Sequence, residues 1–215
     1  MKSDRETKEK LLESGKLEFL EKGYMKASLR KICADAGVTT GALYFFFEGK
    51  EDLFAAIVEP PLNALTEVLK QHFINDMSII SVPGFMEQYS LEDDKDHEIL
   101  GVSLVHHIYQ NYDAFMLLLT KAQGSRFENF VDEIVDLIEK SYKEMADKMV
   151  SQNPGYQVNE YMRHWFTHMN VDAFIHLLTH EPDEKKAIGH MKLIMDYLIR
   201  GWMNMILIPE EKVNE

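Results

Sequence analysis

Cysteine is almost missing from this 215-residue sequence: Cys33 stands alone, which excludes an intrachain disulfide and leaves burial to hold the fold together. No apolar run approaches the roughly 18 residues that a membrane-spanning helix needs, and the chain opens on the charged stretch MKSDRETKEK instead of an apolar leader. A cytoplasmic protein with no membrane partner is expected. Basic residues are outnumbered, 23 Lys and Arg against 36 Asp and Glu, so the net charge is −13 and the chain as a whole is a poor electrostatic match for nucleic acid. A phosphate-cradling P-loop, a Gly-rich dinucleotide fingerprint and a serine nucleophile elbow are also missing, so no catalytic residue and no cofactor is expected. No apolar/polar alternation persists; helical periodicity runs through the chain, and the fold class reads as all-α.

What is present is concentrated in residues 21–50, EKGYMKASLRKICADAGVTTGALYFFFEGK. Ser28 is placed to cap a helix through Leu29, Ile32 and Cys33, with Cys33 as a small buried thiol, and Gly37 offers the permissive backbone at which that helix stops. Thr39 caps the next helix, and the aromatics that follow should anchor it. A short helix, a tight turn and a second helix make a helix-turn-helix DNA reader, in which small residues at Thr39, Thr40, Gly41 and Ala42 suit close approach to base edges. Arg30, Thr40 and Gly41 are expected at the bases. Ser28, Thr39, Tyr44 and Lys50 are expected to contact phosphate or position the helices. Lys50 opposes the dipole of the helix it starts, which a nearby phosphate would explain.

Phe19, Gly23, Tyr24, Ile32, the run Ala36-Gly37-Val38, then Leu43, Tyr44, Phe47, Lys50 and Leu53 fall at fixed spacings. In these residues the first quarter or so of the chain resembles the N-terminal region of the tetracycline-repressor (TetR) family. Two positions depart from the pattern: Phe46 stands where that family often carries a hydrogen-bonding histidine, and Glu48 sets a negative charge near the expected phosphate. The resemblance implies an N-terminal three-helix, helix-turn-helix DNA-binding domain followed by a larger helical ligand-binding and dimerisation domain. It implies a regulator, most simply a repressor, bound to a palindromic operator in double-stranded DNA and released by a small molecule. Readings from other classes are a metal-dependent helical-bundle enzyme and a protein-interaction adaptor that kept the fold and lost DNA binding.

Charge divides along the chain in the same sense. Residues 1–50 hold ten Lys or Arg against eight Asp or Glu, net +2, whereas residues 51–215 hold 13 against 28, net −15. Only the N-terminal part can approach phosphate, while the acidic remainder limits non-specific binding. A first helix is expected from about Thr7 to Lys22 with Leu11, Leu12, Leu17, Phe19 and Leu20 turned inward, and a fourth opens near Lys50. Pro60 and Pro61 each remove an amide donor, so a kink or break there is taken as the domain boundary: 1–50, continuing to about 60, and then 61–215. Beyond Phe73 a loop with Pro83 and Gly84 and the acidic run Glu92 to Asp96 should precede helices at about 97–110, 112–121 and 125–149. After the turn Asn153-Pro154-Gly155, the last two helices are expected at about 158–180 and 183–207.

Those last helices are apolar on most sides, which suits burial against both a domain core and a second subunit, and the TetR resemblance implies a homodimer built there. The polar residues of the first form a seam, His164, His168, Asp172, His176 and His180. Four-residue steps drift by about 40°, so at most one adjacent histidine pair with Asp172 could meet one ion, too few for a metal site by themselves. Ordinary pocket or interface histidines are expected, and no metal. Eleven of 13 Met, all nine His and both Trp follow residue 50, and the resemblance implies a ligand pocket there. His106, Tyr109, Phe130, Trp165, His168, Met169 and Asp172 combine apolar bulk with a few polar groups, as small-molecule sites do.

Overall fold

In a computed structural model the described residues are 2–82 and 95–209. They form helices α1 (Lys2–Lys26), α2 (Leu29–Asp35), α3 (Thr40–Phe46), α4 (Lys50–Ile80), α5 (Lys95–Gln110), α6 (Tyr112–Lys121), α7 (Phe130–Gln152), α8 (Glu160–His180) and α9 (Glu184–Ile206). Strands β1 (Tyr156–Val158) and β2 (Leu207–Pro209) pair antiparallel, Gln157 opposite Ile208. This small sheet was not expected, because three residues are too few to display an alternation.

Two compact units emerge. The first joins residues 1–65 with 110–130, and the second joins 66–109 with 131–215. Residues 110–130 therefore pack with the N-terminal segment, although a long stretch of chain separates the two. Sequence periodicity finds helices but does not say which distant helix they pack against.

The core of the first unit is Leu11, Phe19, Ile32, Leu43, Leu53, Phe54, Val58 and Leu117, all fully enclosed. Phe54 anchors it, edge-on to Phe19 at 5.0 Å and to Tyr24 at 5.3 Å, with Phe127 at 6.0 Å. Leu17, expected inside, is 58% exposed, because two residues of helix set it about 200° from Phe19. Gly23, at φ 74°, interrupts the helical backbone of α1 before its last residues.

Helix α4 is continuous through Pro60 and Pro61, so of the kink or break expected there the break does not occur. Each proline in a helix interior costs about 3 kcal/mol. Burial of Leu53, Phe54, Val58, Leu65 and Leu69 on either side stabilises the helix by about 1.5–3 kcal/mol per side chain, more than enough to offset two. The same helix runs on to Ile80, past the loop expected beyond Phe73; Pro83, Gly84 and Glu92 to Asp94 lie outside the described residues. Helix α7 starts at Phe130 and not near 125, since Ser125 turns its backbone aside. Its Oγ donates to Ala122 O (2.7 Å) and accepts from Phe127 N (3.1 Å), local bonds that compete with a helical turn.

The second unit is built on methionine. Met145, Met149, Met191 and Met195 are buried with Val105, Phe166, Leu177, Leu198, Trp202 and Ile206. A Cβ on Gly101 of α5 would lie 2.7 Å from Met195 Cγ of α9, so only glycine lets these helices meet so closely.

Candidate functional site

The helix-turn-helix is assembled from local bonds. Ser28 Oγ accepts from Lys31 N (3.4 Å), capping α2, and Ser28 N–H donates to the buried Glu18 carboxylate (3.1 Å), which ties that cap to α1. At the other end Gly37 adopts φ 67° while its N–H donates to Ala34 O (3.1 Å), and Val38 N–H donates to Cys33 O (2.9 Å). Thr39 Oγ1 then accepts from Ala42 N (3.2 Å) and caps α3. The turn thus sets the angle between α2 and α3 with every bond supplied from within seven or so residues.

Burial of Ile32 and Cys33 on α2 and of Leu43 on α3 decides which residues face outward. Burial also pushes the Cys33 thiol up, as expected of a structural cysteine. Ser28, Arg30, Thr39, Thr40, Gly41 and Tyr44 are exposed. Lys50 is half-buried: its Nζ donates to Met25 O (3.1 Å) and sits 4.7 Å from the centre of the Tyr24 ring. That cation joins the start of α4 to the end of α1, a positioning role beside any phosphate contact. The Tyr24 hydroxyl donates to Glu51 Oε2 (2.6 Å), and Glu51 Oε1 accepts from Arg126 N (3.1 Å), so the base of the domain is tied to residues 110–130.

Burial, and after it the hydrogen bond to Glu51, pushes the Tyr24 hydroxyl up to about 12. Its unfolded value is 10.0, so the neutral phenol stabilises the fold fully below pH 10, and this contribution is lost as pH rises toward 12. We predict that Tyr24→Phe removes about 1 kcal/mol near neutral pH. Its stability should also decline less than wild type between pH 10 and 12; parallel curves in urea unfolding would refute the assignment.

The ligand candidates fall in both units. Phe130 is buried and belongs to the first unit, whereas the other six belong to the second. His106 is exposed, with Nδ1 2.6 Å from Glu184, and lines a groove of about 390 Å³ with Glu98, Ile99, Val102, Ser103 and Lys192. Tyr109 donates to Glu181 O, Trp165 packs on the methionine core, and His168, Met169 and Asp172 are exposed.

A different cluster lies inside the second unit. Tyr142, whose hydroxyl is pushed up by burial and then by Asp76, accepts from Asn170 Nδ2 (3.1 Å) and meets Trp202 edge-on at 6.0 Å and Phe73 at 5.8 Å. His72 Nε2 lies 3.1 Å from Asp76, and both are largely buried. Trp202 Nε1 is buried with no hydrogen-bond partner among the described residues. A buried indole N–H left unpaired costs about 1–3 kcal/mol, the kind of deficit that a bound polar group would relieve.

The family model described as bacterial regulatory proteins, tetR family, matches residues 11–57. Over this N-terminal stretch the chain is similar to TetR-family regulators. The HTH-type transcriptional repressor BepR of Brucella suis is 45% identical over 53 residues, a quarter of each chain. Among solved structures, a transcriptional regulator from Aquifex aeolicus has a TM-score of 0.55 at 20% identity, covering 90% of this chain and 98% of that one. NalD of Pseudomonas aeruginosa, described as the secondary repressor of a multidrug efflux pump, has a TM-score of 0.55 at 18% identity, covering 92% and 97%. At such identities these structures show a shared fold.

The two departures from the TetR pattern have local explanations. Phe46 packs against Phe45 at 4.9 Å and Phe47 at 6.5 Å, replacing a polar contact by apolar ones. Glu48 N–H donates to Asp52 Oδ2 (3.0 Å), so the backbone at Glu48 helps start α4. The aromatics do not all anchor α3: Phe47 is buried, but Tyr44 and Phe45 are 60% and 76% exposed. Leu43 and Phe47, four residues apart, define the inner face, and the positions between them turn outward. Phe45 was missed in the sequence because an aromatic run reads as core.

Proposed function

We propose that this chain is a cytoplasmic, homodimeric, ligand-responsive transcriptional regulator that represses from a palindromic operator in double-stranded DNA. The observation that carries the reading is the exposed start of α3, Thr40, Gly41 and Tyr44, on a helix whose cap and inner face are internally satisfied. Arg30 is the exposed cation beside it. The net +2 of residues 1–50 supports approach to phosphate by this domain alone. No step in this function requires catalysis, and no helix among the described residues is long and apolar enough to cross a membrane.

The dimer reading is supported by apolar side chains that the second unit leaves in water: Leu193 at 72% and Tyr197 at 64% exposure, one turn apart on α9, and Met169 at 39% on α8. The effector reading is supported by the Met-rich interior and the unpaired Trp202 indole, which suit a mostly apolar small molecule with one hydrogen-bond acceptor.

Gel-shift titration of DNA from upstream of the chain's own gene tests the function. A retarded complex that weakens steeply with salt and resists unrelated competitor DNA is expected. Failure of the folded protein to retard any such fragment at micromolar concentration would favour the adaptor reading. Within this reading Lys50→Ala should weaken binding about equally across operator variants and lower the salt slope by about one unit. If affinity falls with the slope unchanged, Lys50 acts only through Met25 and Tyr24.

A further inference from the structure

We propose that Glu139, His164 and His168 form a binding site for a divalent transition metal of the zinc class, joining α7 to α8. This site does not rest on the regulatory reading. One ligand atom from each of the three lies within 4.8 Å of the other two. His164 Nδ1 is 3.2 Å from both Glu139 oxygens, and the His164 and His168 rings are 4.6 Å apart.

Two ligands about 2.1 Å from a tetrahedral ion are about 3.4 Å apart, so the His164–Glu139 spacing already suits coordination. The remaining separations need His168 to approach by roughly an ångström. As an exposed side chain it can do so by a change of rotamer. The helix spacing alone offered two histidines; the third ligand comes from a residue 25 positions earlier, on another helix.

The carboxylate is already oriented. Arg163, 9% exposed at its side chain, donates through Nη1 to Glu139 Oε1 (3.3 Å) and to Glu139 O (3.2 Å), which holds the carboxylate beside the histidine and leaves Oε2 without a bond from Arg163. The Arg163 charge is itself met by Glu160 through Nη2 (2.6 Å), so Glu139, Glu160 and Arg163 together carry one net negative charge, which favours a dication. Two imidazoles and one carboxylate select zinc, nickel or copper over magnesium or calcium, and the fourth position is left to water.

The test is titration of tag-free, EDTA-treated protein with Zn2+ alone, followed by calorimetry and metal analysis after gel filtration, with thermal melts of each metal-free variant as a check on folding. One equivalent per chain is expected. Glu139→Gln and His164→Ala should each weaken binding by more than the about 10–100-fold that loss of a supporting group costs. His176→Ala/His180→Ala, which removes the other four-residue histidine pair, should leave binding intact. Binding of less than one equivalent, unchanged affinity in Glu139→Gln, or loss of the zinc in the His176/His180 variant would each overturn the site.

Discussion

Gly41→Leu is expected to abolish operator binding while the protein stays folded. A Cβ added at Gly41 would meet only Thr39 Oγ1, at 3.7 Å, an ordinary contact, and the position is exposed near the start of α3. The larger side chain therefore has room in the free protein, and leucine favours helix over glycine by about 1 kcal/mol, so the thermal midpoint should hold or rise slightly. In the proposed docking on DNA the same side chain would stand where backbone comes close to base edges. Specific binding commonly exceeds non-specific binding by 10³-fold or more, and the variant is expected to fall by about that factor to the non-specific level. The measurement is a gel shift with a specific operator fragment beside a melt of the same preparation. A loss of less than about tenfold would mean that Gly41 does not face the groove and that α3 docks on another side.

The second large effect is expected from Leu193→Asp, which should convert a dimer into a folded monomer and remove operator binding with it. Leu193 and the neighbouring Tyr197 are both exposed apolar residues of α9, so an aspartate at 193 meets only water in the monomer but would be buried unpaired in a dimer. Two-fold recognition needs both half-sites held at one spacing, and a monomer loses that linkage. Phe174→Asp is a poorer probe: Phe174 packs against the methionine core, and a charge there would unfold the second unit instead of separating subunits. Sedimentation at micromolar concentration decides. A monomeric wild type, or a Leu193→Asp variant that remains dimeric, would refute an interface on α9.

These effects trace back unequally to the sequence. The helix-turn-helix was legible because its determinants are local: Ser28 and Thr39 accept from amides three residues on, Gly37 takes a positive φ, and Leu43 and Phe47 mark one face by spacing alone. Burial of Cys33 followed from the same periodicity. Helical content was legible throughout, since the apolar period repeats in each segment, although Ser125 delayed α7 by bonds that a periodic pattern does not contain.

Partnership between distant segments was not legible. Periodicity assigns an inner face to α6 but cannot say that it packs with α1, nor that Phe127 closes the ring cluster around Phe54. It overrated Pro60 and Pro61, whose local penalty is outweighed by burial on both sides. It read the α8 histidines as a seam in which only Asp172 could join an adjacent pair, because Glu139 reaches them only when α7 lies alongside. It passed over Tyr142, Asn170 and Trp202, three residues from three helices whose polar atoms matter only because the core encloses them. By itself the sequence determined the helices, their caps and the helix-turn-helix, since those depend on bonds between near neighbours. Tertiary packing decided which side chains from different helices share a site, since that depends on contacts whose partners lie tens of residues apart.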